Sequence, residues 1–170
     1  MRIGARPLGS SVLLGAVLAA VLAGCGRSAP PQAKVTSAPD FTLKDVDGKD
    51  FRLADTKGMV RLVDFWATWC APCREEIPMF KDLHAAYGAK GFVLVGIAMD
   101  DEGLPIVKPF VDQYKLPYVT LIGNEAVAES FGGLVGFPSA FLLDRDGRIV
   151  DTWVGAVPRA VLEKRIQSLL

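Results

Sequence analysis

Residues 66–78 read WATWCAPCREEIP and hold two of the three cysteines of the chain, Cys70 and Cys73, separated by Ala71 and Pro72. Sulfurs at this spacing serve an electron-exchanging thiol couple, half of a metal site, or a structural disulfide. A structural zinc site takes four protein ligands, and the chain offers only His84 besides, so the metal reading needs a half-site shared with another chain. An inert disulfide is a weak reading, because closing a two-residue gap restrains the unfolded chain little. Position favours the thiol couple. The pair follows an apolar run and opens a helix-like pattern, where free backbone N–H groups and the helix dipole stabilise a thiolate. Lowering a thiol pKa from about 8.5 to about 7 raises the thiolate fraction at neutral pH from a few per cent to about half. Cys70, nearest the helix start, is the expected nucleophile, and Cys73, one turn further in, the less exposed resolving thiol.

Two acids flank the pair. Glu76 follows Cys73 by three residues, which on a helix places it on the same face. Asp64 precedes Cys70 by six, inside an apolar run. Burial raises a carboxyl pKa, so either acid can exchange a proton near neutral pH, and spacing leaves open which one serves Cys73. Trp66 and Trp69 read equally as a shield around the sulfurs and as packing, and His84 falls on the helix well past the pair.

The elements that must hold these residues are legible from period and punctuation. FTLKDVDGKDFRLAD alternates around Asp47-Gly48, a turn dipeptide between two short strands. MVRLVDFWA (59–67) and FVLVGIAMD (92–100) are near-continuous apolar runs, as in strands covered on both faces. Between them, Ile77, Phe80, Leu83 and Tyr87 carry helical spacing that ends at Gly88 or Gly91. LPIVKPFVDQYKL predicts a helix interrupted at Pro109, YVTLIG a short strand, NEAVAESFGG a short helix, and SAFLLDRDGRIVDTWVG a hairpin turning at Asp146-Gly147. PRAVLEKRIQSLL closes the chain as an amphipathic helix with Pro158 in its first turn. The order argues for an α/β domain with a central mixed β-sheet flanked by helices and an N-terminal β-hairpin.

Length and charge narrow the field. The 170 residues suffice for one globular domain, and 19 basic against 19 acidic side chains, without long runs of one sign, leave no footprint for nucleic acid. The start, MRIGARPLGSSVLLGAVLAAVLAGC, joins two arginines to an apolar run too short and small-sided for a comfortable membrane span, which reads as a targeting peptide. Leu22, Ala23, Gly24 and Cys25 resemble the lipobox of bacterial lipoprotein precursors. That resemblance implies cleavage before Cys25 and lipid on Cys25, giving a signal peptide over 1–24, a lipidated cysteine and flexible tether over 25–39, and a folded domain over 40–170. The Ser-, Ala- and Pro-rich tether would reach on the order of 20 Å.

DFWATWCAPCREEIP, with GFPSAFLLDRDG further on, resembles the thioredoxin fold. The opening APDFTLKDVDGKDFRL and the lipobox resemble its exported TlpA/ResA-like branch, an opening shared with the peroxiredoxins of the AhpC/TSA group. The resemblance spans roughly residues 38 to 170. It implies a membrane-tethered thiol–disulfide oxidoreductase without an organic cofactor, acting on disulfides of exported proteins, often as a reductant in cytochrome c maturation with apocytochrome c as substrate. A membrane electron donor of the DsbD/CcdA type would regenerate it, in the periplasm or its extracytoplasmic equivalent. Residue by residue, Cys70 matches the nucleophile and Cys73 the resolving thiol. Trp69, Ala71 and Pro72 are expected to bind substrate together with Phe137 and Pro138, and Pro138, with Phe137 before it, matches a cis-proline that faces the disulfide and offers backbone to a substrate peptide. Glu76 matches the acid of the TlpA/ResA branch, whereas Asp64 matches the buried aspartate of thioredoxin itself, where that branch commonly has asparagine. Val63 and Ala67 stand where a peroxidatic motif needs Pro and Thr. A copper chaperone of the Sco type, the remaining alternative, resembles Cys-x-x-x-Cys with a distal histidine, and the chain has neither.

Overall fold

The computed structural model describes residues 37–170. The signal peptide, Cys25 and all but the end of the tether lie outside the described residues. Ser37 already bridges Arg148, and the Ala38 N–H donates to the Gly147 carbonyl at 2.8 Å.

The two central strands form where apolar and β-branched residues run unbroken. They are β3 (Val60–Trp66), buried at every position, and β4 (Phe92–Ala98). They pair in parallel, with Asp64 opposite Gly96 and Trp66 opposite Ala98, and α1 (Ala71–Tyr87) makes the crossover. A second crossover, α2 (Leu104–Tyr114), leads to β5 (Val119–Ile122), again parallel. After α3 (Glu125–Ser130), strands β6 (Ser139–Leu143) and β7 (Ile149–Val154) add an antiparallel hairpin on the other side of β3. The sheet order is β5-β4-β3-β6-β7. The N-terminal hairpin, β1 (Thr42–Lys44) and β2 (Asp50–Arg52), docks on the β5 edge through the Val46 N–H to the Thr120 carbonyl.

Side-chain alternation divides the core. Leu62 and Leu94 face α1 and the terminal helix α4 (Arg159–Leu169), packing with Phe80, Leu83, Leu162 and Ile166. Val63, Phe65, Val95 and Ile97 face the hairpin and α3. Helix α2 sets Val107 and Val111 against Trp66 and the cysteine pair.

Two expectations are corrected. Helix α2 runs unbroken through Pro109, because the bond lost there is one backbone donor, while Val107 and Val111 on the buried face keep both sides of the proline seated. Pro158 stands one residue before α4 rather than in its first turn, with extended backbone, and its carbonyl accepts the N–H groups of Val161 and Leu162.

Candidate active site

Helix α1 begins on the redox pair. Cys70 is its N-cap, with extended backbone, and its Sγ accepts the Cys73 N–H at 3.3 Å. A sulfur therefore occupies the place where a Ser or Asp oxygen usually satisfies a free donor of the first turn. Ala71 and Pro72 fill the first two helical positions, where proline sacrifices no bond. Cys70 and Cys73 are joined as a disulfide with Cα atoms 5.3 Å apart. As whole residues the two cysteines are buried nearly alike, Cys70 at 5 % and Cys73 at 4 % exposed. A cysteine at the helix cap is enclosed by the turn before it and by α2, so what distinguishes the pair is position on the helix.

Around the pair the rim is uneven. Trp69 is 66 % exposed and Ala71 and Pro72 lie open beside it. The Phe137–Pro138 peptide is cis, Pro138 is buried, and the half-buried Phe137 ring meets Trp69 edge-on at 5.7 Å. Phe137 also packs on the cluster that contains both cysteines. Beyond it opens a cleft of about 730 Å³ lined by Met99, Asp100, Asn124, Leu134 and Phe137. Trp66 is different: it is 4 % exposed, leans on Phe110, and belongs to the core.

Both acids are buried. Glu76 occupies the buried stripe of α1 between Cys73 and Phe80, 6 % exposed, and its Oε1 accepts the Val157 N–H at 2.8 Å. Asp64 is 3 % exposed, and its Oδ1 has no hydrogen-bond partner among the described residues. It shares a face of β3 with Leu62 and Trp66, opposite Gly96, whose missing side chain leaves room for the Trp66 indole and the Tyr118 ring. Burial pushes the Asp64 carboxyl well up, and the charge of Glu76 pushes it further. Burial also raises Glu76, with the Val157 N–H opposing it. Tyr118 is held neutral by burial and by both acids.

Two contributors escaped the sequence reading. Val157, ahead of α4, supplies the N–H that orients Glu76. Asp100 takes the backbone N–H of Thr68, in the turn before Cys70. The available signal was that parallel strands end side by side, so acids at the end of β4 arrive next to the end of β3. His84 lies at the far end of α1 against Tyr118, away from the sulfurs. Among the described residues, no group of three or more His, Cys, Asp or Glu side chains is placed to hold a metal ion.

A cysteine pair at the start of a crossover helix, a cis-proline loop beside it and two buried acids define a thioredoxin-fold thiol–disulfide oxidoreductase. The chain belongs to the AhpC/TSA family, whose pattern matches residues 35–152, and within it to the TlpA/ResA-like group. It is 33 % identical over 132 residues to the thiol-disulfide oxidoreductase ResA of Bacillus thuringiensis (strain Al Hakam), covering 78 % of this chain and 76 % of the relative. It is 34 % identical over 130 residues to the thioredoxin-like protein YneN of Bacillus subtilis (strain 168), with 76 % of each covered. Among solved structures, a putative thiol:disulfide interchange protein DsbE from Chlorobium tepidum superposes with a TM-score of 0.75 at 32 % identity, over 81 % of this chain and 97 % of that one.

Proposed function

We propose that the protein is a lipid-tethered reductant of disulfides in exported proteins, with apocytochrome c as a candidate substrate. The observation that carries this reading is the buried Cys70–Cys73 pair at the start of α1, backed by two buried acids of raised pKa. In the reduced protein the Cys70 thiolate attacks one sulfur of a substrate disulfide and expels the other as a thiolate. The mixed disulfide so formed is attacked by Cys73, whose proton passes to the Glu76 or Asp64 carboxylate. The second substrate thiolate leaves, and the protein keeps the disulfide, having given up two electrons. A raised carboxyl pKa suits this step, because it brings the base strength of the acid closer to that of the thiol.

Trp69, Ala71, Pro72, Phe137 and Pro138 form the surface that a substrate segment would meet, with backbone pairing along the Phe137–Pro138 loop. The bilayer would be reached through Cys25, and a membrane donor of the DsbD/CcdA type would return the couple to the dithiol. No helix among the described residues is long and apolar enough to cross a membrane. The test is the reduction potential of the full chain in glutathione and dithiothreitol buffers. A value near the roughly −270 mV of thioredoxin supports a reductant, and one near about −120 mV reverses the direction to disulfide donor. A chain with no reversible two-electron couple would return the pair to a metal-binding role.

A further inference from the structure

The turn joining β3 to α1 is held from outside its own sequence. Within it, the Cys70 N–H closes on the Ala67 carbonyl at 3.1 Å, leaving Thr68 and Trp69 at the two central positions. Thr68 gives its N–H to both carboxylate oxygens of Asp100, each at 3.1 Å, and its hydroxyl to Oδ1 of the same group. Asp100 is only 6 % exposed. It reaches the turn because β3 and β4 run parallel and end together, with the Met99 N–H on the Trp66 carbonyl at 2.8 Å. A buried carboxylate thus spends its hydrogen bonds on the residue two before the nucleophilic cysteine, and the steps assigned to Cys70, Cys73, Glu76 and Asp64 make no use of it.

We propose that Asp100 is a positioning residue for the redox couple. By pinning Thr68 it keeps the Cys70 sulfur within reach of Cys73 when the disulfide opens, and so sets how readily the disulfide closes again. The governing quantity is the effective concentration of one sulfur at the other, which falls when the group that aims it is released. A turn freed of Asp100 samples more orientations, so the dithiol gains entropy relative to the disulfide. The inference rests on Cys70–Cys73 being the working couple. In exchange with glutathione, the protein disulfide and two glutathione thiols give two protein thiols and one glutathione disulfide, with two electrons and two protons passing to the protein.

The experiment equilibrates the full chain and its variants in glutathione buffers and reads the equilibrium constant. Asp100→Ala is expected to favour the dithiol by about ten-fold, a shift of about 30 mV toward less negative potential. Thr68→Val should shift the constant about two- to three-fold, and Thr68→Ser should leave it unmoved. Asp100→Asn removes the charge but keeps an acceptor for the Thr68 N–H and a donor for its hydroxyl, and should stay within about three-fold of the unsubstituted protein. The double variant D100A/T68V should shift no further than D100A, because both act through one contact. An unmoved D100A overturns the proposal. So does a D100N shift as large as that of D100A, which would assign the effect to charge, and so does simple additivity in the double variant. If D100A does not fold, a Thr68→Val variant indistinguishable from Thr68→Ser overturns it equally. Failure of the unsubstituted chain to show a reversible couple would overturn the functional reading as well, whereas a normal couple with unmoved variants removes only the role of Asp100.

Discussion

Substitution separates the two buried acids, Asp64 through stability and Glu76 through rate. Asp64 has its pKa raised, first by burial and then by the charge of Glu76. A carboxyl group shifted in this direction stabilises the fold in its neutral form: the contribution is complete below the unfolded pKa of about 3.9 and is lost as pH rises through the folded value. Asp64→Asn keeps the shape without the charge. It should be more stable than the unsubstituted protein at neutral and alkaline pH, because the amide has no charge to bury where the carboxyl is driven to ionise. Urea unfolding at pH 5 and pH 8 checks this, since the variant should lose less stability between the two. Glu76→Gln retains an acceptor for the Val157 N–H but cannot take a proton from Cys73. Disulfide reduction should slow by about 10²-fold, the lower end for a positioned proton acceptor. The pH–rate profile should lose the limb due to that acid, and an unchanged profile would pass the role to Asp64. Cys73→Ser should accumulate a mixed disulfide through Cys70, visible as a mass increase that dithiothreitol removes.

At the scale of elements, α1 does two jobs with one stripe of residues. Its inner face reads Cys73, Glu76, Ile77, Phe80, Leu83 and Tyr87, so the packing that docks the helix also places Cys73 and Glu76. Leu83 is fully buried, and Leu83→Ala should cost about 2–5 kcal/mol of stability by chemical denaturation while the disulfide chemistry of the folded fraction persists. The junction after β5 is tighter still. A Cβ added at Gly123 would lie against the Met99 sulfur and 2.8 Å from the Ala98 carbonyl, which is backbone of β4 and cannot yield. Gly123→Ala should therefore destabilise by about 1–3 kcal/mol. Because Ala98 and Met99 lead directly to Asp100 and the floor of the cleft, its effect should extend to the redox equilibrium.

For the whole molecule, the proposed lipid attachment at Cys25 carries a prediction about location. Cys25→Ser should move the chain from the membrane fraction to the soluble fraction in a cell that processes lipoproteins, with reductase activity of the domain retained. Persistence at the membrane would put its attachment elsewhere. The fold itself was legible without coordinates wherever the signal was local. The buried runs of β3 and β4, the Asp47-Gly48 and Asp146-Gly147 turns and the helical spacing after Cys73 each express a short-range preference of the backbone or a periodicity that tertiary contacts reinforced. Pro109 misled because a proline's local cost was outweighed by the burial of Val107 and Val111, which only the packed helix reveals. By itself, the sequence determined the thiol pair, its seat at a helix start, the two acids beside it and the mixed sheet, because all follow from spacing along one chain. Only the tertiary structure decided that Asp64, opposite Gly96, has an oxygen without a partner among the described residues, that Val157 orients Glu76, and that Asp100 grips the turn before Cys70. Those are contacts between residues far apart in the chain, brought together by strand pairing and helix docking, and no local pattern of residues encodes them.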